Sequence, residues 1–376
     1  MVASPFDVIH NDSELKKLVA FIRQLPGESK VVMEFTGNYS EPIARFLHNE
    51  GIFVSVVNAL LIHDYGGNTI RKAKTDKKDA IKLASFALDK WLDLNEYTPA
   101  EDLRATLKFL NRQYIQYTKM LTMLKNNLIS LLDLTFPNAN QFFNTPPKAS
   151  DGHEKWVDFV LKFWHRECIS KLSLSAFKLK YQRWCKKNSY NYSEIKAEEI
   201  HCYAKSQISV LPMNDSVKLL VTQSVTQLIT MQETLCAIRK EMDNISSQLP
   251  EYDTVMSIFG AGKVLGAQLM AEIGDTRRFR NRKCITAYAG LDAPPYQSGT
   301  VNIQSRSISK KGSSALRKTL FQIMTIYIQN QPITEPVYNF LDKKRSEGKP
   351  YKVYMMAAAN KFLRIYYAKV NKVLCS

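Results

Sequence analysis

Over the first 95 residues, short apolar runs alternate with amphipathic stretches. Phe6-Asp7-Val8-Ile9 predicts a short strand, and Asn11-Asp12-Ser13 caps a helix carrying Leu15, Leu18, Phe21 and Ile22. Val31-Val32-Met33 predicts a buried strand. After Gly37 comes a helix with Ile43, Ala44, Phe46 and Leu47, which Gly51 ends. Ile52 to Val57 is the next strand. The order β-α-β-α-β implies parallel pairing, with helices covering the sheet.

From about 96 to 250 the period changes and strand signals vanish. Leu103, Leu107, Leu110, Tyr114, Tyr117, Leu121, Leu124, Leu128 and Leu131 repeat at alternating spacings of four and three, a heptad seam. A second seam runs through Val221, Val225, Leu228, Met231, Leu235, Ile238, Met242, Ile245 and Leu249. Two long helices with such seams predict an antiparallel hairpin, a coiled coil. Pro146-Pro147 and Asp151-Gly152 break the intervening stretch into shorter helices at its tip. From 251 onward two glycine-punctuated motifs, a dense basic stretch and a C-terminal helix from about Val353 to Val370 follow. The expected organisation is an α/β domain at 1–95, a helical region at 96–250 and a mostly helical domain at 251–376.

Charge narrows the class of partner. Lys and Arg number 52 against 35 Asp and Glu, a net charge of +17. Such an excess repels itself unless a polyanion neutralises it. No apolar run reaches the roughly 20 residues that a spanning helix needs, and Met1 to Phe6 has no apolar core of a signal peptide. Nucleic acid is therefore favoured over a membrane. Six scattered cysteines, none in a CxxC pair, read as reduced thiols of a cytoplasmic protein rather than a zinc site.

Three acids stand out. Glu34 ends the Val31-Met33 strand, where parallel sheets place their active sites. Asp76 and Asp79 are three apart in the first turn of a helix, so they share a face. Three carboxylates would form a hard oxygen site suited to Mg²⁺ and phosphodiester chemistry. The same aspartates would equally complement a helix dipole behind an N-cap at Thr75.

Downstream, Gly260-Ala261-Gly262 opens a helix in the manner of a helix-hairpin-helix turn, whose backbone N–H groups can hold a phosphate without reading sequence, or is simply a plain turn. From Arg277 to Lys318 ten basic residues accompany a single acid, Asp292. They include Arg277, Arg280, Lys310, Lys311 and Arg317, a phosphate-binding footprint. Within it Ser298 precedes Gly299, which would let a phosphate approach the backbone. A serine there can serve as a nucleophile or simply occupy a turn.

In their order, Met33-Glu34-Phe35-Thr36-Gly37-Asn38-Tyr39, Val57-Asn58 and Lys74 to Ala80 resemble the catalytic domain of insertion sequence 110 transposases. So do Ile258 to Gly262, Ala271 to Asp275, Tyr288 to Leu291, Gln297-Ser298-Gly299 and Ser309 to Gly312 in the C-terminal region. The resemblance implies a ribonuclease-H-like first domain with four acids in the order Asp, Glu, Asp, Asp. Glu34, Asp76 and Asp79 match three of them as Mg²⁺ ligands. It also implies that Ser298 links covalently to DNA, that a guide RNA from the element takes part, and that the protein is a homo-oligomer. The family's first acid lies on a strand two before the one at Phe6, so the first domain is expected to be N-terminally cut short. Phe259 replaces a proline usual in the hairpin. The reading is a DNA transposase that cleaves and rejoins strands at element ends and target. Its alternatives are an inactive nucleic-acid-binding remnant and a junction nuclease of repair.

Overall fold

In a computed structural model of the chain, residues 3–65, 75–99, 101–293, 296–298, 301–303 and 307–376 are described, with backbone alone at Asn38, 296–298 and 301–303. Lys74, Gly299 and Arg306 lie outside the described residues. The chain divides into two compact units, Met1–Glu101 and Asp102–Ser376.

The first unit is a small α/β body. Helix α1 spans Asp12–Arg23, capped by the Asn11 side chain, which accepts from the Glu14 N–H at 2.8 Å. Strand β1 is Lys30–Glu34, α2 is Ser40–Asn49 and β2 is Phe53–Val57. The strands pair in parallel, with Lys30 opposite Phe53 and Glu34 opposite Val57. Helices α3 (Ala59–Asp64) and α4 (Asp76–Asp89) follow. Side chains of a strand alternate between its two faces. Accordingly Val31 and Met33 pack with Val54 and Val56 against Val19, Ala44 and Leu47 of α1 and α2. On the other face Val32 and Val57 pack with Ile62 and Phe86 of α3 and α4.

The strand expected at Phe6-Ile9 does not form. That stretch has no regular structure, and Phe6 and Ile9 are exposed. A strand needs a neighbour to take its N–H and C=O groups, and among the described residues none pairs with it. Phe6 instead sets its ring edge-on to Phe21 of α1, centroids 5.9 Å apart. The sheet seen is thus two-stranded, without the third strand of the expected order.

The second unit is almost wholly helical. Helix α5 runs Asp102–Thr135. Next come α6 (Lys155–Lys162), α7 (Glu167–Ser170), α8 (Leu174–Lys187), α9 (Glu194–Ser206) and the long α10 (Asp215–Ser247). Helices α5 and α10 pack along much of their length. Leu107 shares one core with Met242 and Ile245, and Leu128 shares another with Val221 and Val225, so the two helices run antiparallel. No residue of either heptad seam is exposed. Helices α6 to α9 close the core at one end of the pair, around Phe159, Phe163, Phe177, Tyr181 and Trp184.

At the other end sit α11 (Tyr252–Met256), α12 (Lys263–Ile273) and α13 (Arg282–Tyr288). Two short antiparallel strands follow, β3 (Tyr296–Ser298) and β4 (Val301–Ile303). Helices α14 (Ser314–Asn330), α15 (Pro336–Ser346) and α16 (Tyr351–Leu374) complete the unit. Buried Arg104 donates to both carboxylate oxygens of buried Glu251, tying the start of α5 to the entry of α11. Among the described residues no helix is long and apolar enough to cross a membrane, and all six cysteines are free.

Candidate functional site

In the first unit, Glu34 closes β1. Residue alternation puts it on the same sheet face as Val32, the face that α4 covers. Phe35 continues the ladder by one bond, donating to the Val57 carbonyl at 2.8 Å. Asp76 and Asp79 lie in the exposed first turn of α4, behind the Thr75 hydroxyl, which accepts from the Lys78 N–H. All three acids therefore belong to one side of the sheet and to two elements in contact. They offer oxygen donors, the type a hard divalent ion takes. Among the described residues, however, no three such side chains are gathered into one ligand group. A cavity of about 500 Å³ lies at the end of β2 between Val57, Leu61, Tyr65, Phe86 and Leu94, and none of the three acids lines it.

In the second unit the glycine-rich turn leads into α12. Gly260 has φ of +80°, and a side chain there would meet Ile323 at 3.0 Å. Both the left-handed backbone and the close approach demand glycine. Gly262 and Lys263, at the start of α12, are exposed. Their side of the turn is open: a Cβ added at Gly262 would meet nothing within 4 Å. The turn can thus present N–H groups to an anion.

The rest of the basic stretch is built round a buried carboxylate. Glu272 in α12 is 1% exposed. Its Oε1 accepts from Asn111 Nδ2 at 2.8 Å, and its Oε2 accepts from Arg112 at 2.7 Å and from the Ser313 hydroxyl at 2.9 Å. Its backbone carbonyl accepts from the Tyr288 hydroxyl at 2.9 Å. One side chain therefore joins α5, α12 and the N-cap of α14.

Ser313 ends the loop that displays Lys310 and Lys311. This loop is clamped to the end of α13. Ser313 N–H donates to Tyr288, Lys310 N–H to Gly290 and Ser309 N–H to Asp292, at 2.7 to 3.1 Å. A Cβ on Gly312 would stand 2.2 Å from the Tyr288 carbonyl, so only glycine lets the two backbones meet this closely. Lys310 itself takes φ of +55°, a left-handed conformation uncommon for a residue with a side chain, and both lysines are exposed.

The expected basic residues divide by what they touch. Arg280, Lys310 and Lys311 are exposed and available to a polyanion. Arg277 is exposed but forks onto Asp275, with Nη2–Oδ2 at 2.8 Å. Arg317 donates to the carbonyls of Ala289 and Gly312 at 2.9 and 3.0 Å, which fixes the lysine loop. Arg278 similarly donates to the Ile273 carbonyl and lies over the Phe279 and Tyr288 rings, each centroid 4.5 Å away. Ser298 is the last residue of β3, opposite Val301 of β4.

Sequence reasoning passes over Glu272 as part of a motif without assigning it a role. Its signal is present: a lone charge inside the otherwise uncharged run Val264 to Ile273, which only an internal partner explains. Its partners Asn111 and Arg112 lie some 160 residues away in sequence, where pattern gives no pairing.

Comparison with known proteins bears on these motifs. Residues 2–137 match a family model described as a transposase. Residues 252–339 match the model of the "Transposase IS116/IS110/IS902 family". Both point to one class, the transposases of insertion elements, and together they cover more than half of the chain. The chain belongs to the IS110 type of transposase, in the IS116/IS110/IS902 family. It is similar to the pilin gene-inverting protein of Moraxella bovis, 24% identical over 91% of this chain and 80% of that protein. It is also similar to an uncharacterized 42 kDa protein of insertion element IS900 from Mycobacterium paratuberculosis, 20% identical over 97% of this chain and 88% of the relative. A putative transposase of Sinorhizobium fredii is 34% identical over 31% of this chain and 30% of its own length.

Proposed function

We propose that this transposase binds the DNA of its element's ends and target, and cleaves and rejoins the strands by transesterification at Ser298. The observation that carries the reading is the loop holding Lys310 and Lys311. It is fixed by Glu272, Ser313 and Arg317, in the same unit and the same family match as Ser298. Exposed lysines on a rigid frame hold phosphates.

In the proposed step the Ser298 hydroxyl loses its proton and its oxygen attacks phosphorus. The bond from phosphorus to a deoxyribose oxygen breaks, and that oxygen leaves as a hydroxyl after taking up a proton. One phosphoester replaces another, so no energy-rich cofactor is needed. Reversal by a different strand's hydroxyl rejoins the DNA. The residue after the serine is a glycine, which carries no side chain to block a phosphate. The Gly260–Gly262 turn, Arg277, Arg280 and Arg317 belong to the same DNA-holding surface, Arg277 and Arg317 by ordering it.

Glu34, Asp76 and Asp79 are assigned as the acidic group of a ribonuclease-H-like domain and as ligands for Mg²⁺. This rests on their oxygen chemistry, their placement on one side of the sheet and the family. A guide RNA and a homo-oligomer complete the proposed assembly, with a supercoiled α5–α10 pair as its spine and a helix-hairpin-helix turn at α11–α12.

The test is strand transfer of an element-end duplex by the purified full chain, with and without Mg²⁺, beside Asp79→Asn and Ser298→Ala. Activity that needs Mg²⁺ and fails in both variants is expected. No cleavage under any condition would favour a nucleic-acid-binding remnant, and equal activity of Ser298→Ala would remove the serine's role. A second reading, inversion of a DNA segment by the same chemistry, is favoured by the likeness to a pilin gene-inverting protein over 91% of the chain. Two element ends in inverted orientation on one plasmid separate inversion from transposition.

A further inference from the structure

Away from both family matches, the helical end formed by α6 to α9 carries a second basic surface. From Lys155 to Lys187 there are nine Lys and Arg residues against two acids, Asp158 and Glu167. Some of this charge is spent internally: Lys171 pairs with Glu167, and Lys178 with Glu194 and Glu198. Lys162, Lys180, Arg183 and Lys187 are not. All four are exposed, and among the described residues none of them forms an ion pair.

These four cations line one groove of about 670 Å³ between α6 and α8. Lys180, Arg183 and Lys187 recur at intervals of three and four along α8, so they form one stripe. At 1.5 Å per residue the stripe is about 10 Å long. Measured along the duplex axis, where one strand places a charge about every 3.4 Å, that is a span of roughly three phosphates. Lys162 faces it from α6. Leu179, half exposed, and Trp184 give the floor an apolar surface suited to deoxyribose. The one acid in the groove, Asp158, is already engaged by the Tyr190 hydroxyl at 2.6 Å and by His153 and Lys148.

We infer that this groove is a second, sequence-independent docking surface for duplex DNA, seated on the phosphates of one strand along α8. The inference rests on the chain acting on DNA, as its family does. Four cations in a groove, none with an acidic partner, repel one another until a polyanion enters. Lysines and arginine on a rigid helix position a phosphate backbone without reading bases. The surface lies at the opposite end of the α5–α10 pair from α11 to α16, so it would hold DNA well away from Lys310 and Lys311.

The test is binding of the full chain to a labelled 40-base-pair duplex of arbitrary sequence across a salt series. It is run for the parent, for K180Q/R183Q/K187Q and for K180R/K187R. Every phosphate that the protein no longer neutralises takes about 0.9 from the slope of log affinity against log salt. The triple variant should therefore lose about 2.7 of slope and bind roughly ten-fold or more weakly at low salt. Its melting temperature should stay that of the parent, and K180R/K187R should keep the parent slope. A parent that binds duplex, with an unchanged slope in the triple variant, overturns the groove and leaves the transposase reading standing. A parent that binds no duplex removes both. Loss of binding to RNA of the same length with duplex binding retained, or a change in oligomeric state alone, also overturns it.

Discussion

Glu272 shows how a single buried charge can organise a surface. Removing the carboxylate leaves fully buried Asn111 without its acceptor and releases the Ser313 hydroxyl and the half-exposed Arg112. Loss of one partner from such a network is more damaging than the network's net worth, because the others keep their desolvation cost. Glu272→Ala is therefore expected to lower the stability of the second unit by about 2–4 kcal/mol. In denaturant it should move the midpoint with little change of slope. Asp275 makes a gentler, pH-dependent case. Partial burial pushes its carboxyl up, but hydrogen bonds from the Arg277 guanidinium and backbone N–H outweigh that and hold it below the usual carboxylate range. A lowered folded pKa contributes stability above the unfolded value, near 4, and loses it as the pH falls through the folded one. Thermal melts taken from pH 6 to pH 2 should thus show a shallower acid decline in Asp275→Asn than in the parent. An identical decline would mean the pair with Arg277 is not formed in solution.

Among the elements, the α5–α10 pair joins both cores of the second unit, so its seam sets the stability of everything attached. Leu128 is fully buried on it. Leu128→Ala should cost about 2–5 kcal/mol, whereas the same change at Met123, 70% exposed and little more than a turn earlier, should be nearly silent. Calorimetry of the two variants checks this. The seams were legible because every position from Leu103 to Leu131 obeys one period, and period is what packing reads. The short parallel strands were legible too, since Val31 to Met33 and Phe53 to Val57 are rich in valine and bounded by turns. Phe6 to Ile9 carries the same local signal but finds no partner strand among the described residues, and local signal cannot supply one. The lysine loop was visible only as charge. Its shape depends on Gly290 and Gly312 meeting backbone to backbone, an approach between segments that no periodicity encodes. Position in the chain and the family resemblance single out the acids. Structure adds that Glu34 shares a sheet face with α4, which the alternation along β1 already implied.

At the scale of the whole molecule, the net charge of +17 includes two distinct basic surfaces of the second unit. One lies round the fixed lysine loop, and another lines the groove along α8. This charge makes binding to a polyanion steep in salt, but binding alone does not make a recombinase. The central claim is that Ser298 exchanges one phosphoester for another. The most direct measurement is to trap the full chain on an element-end duplex with a nicked or strand-blocked partner, denature it, and map any covalently attached nucleotide by peptide mass spectrometry. The account predicts a phosphodiester-linked nucleotide on the peptide containing Ser298, absent from Ser298→Ala. Cleaved DNA with no adduct, or an adduct that persists in Ser298→Ala, would contradict it.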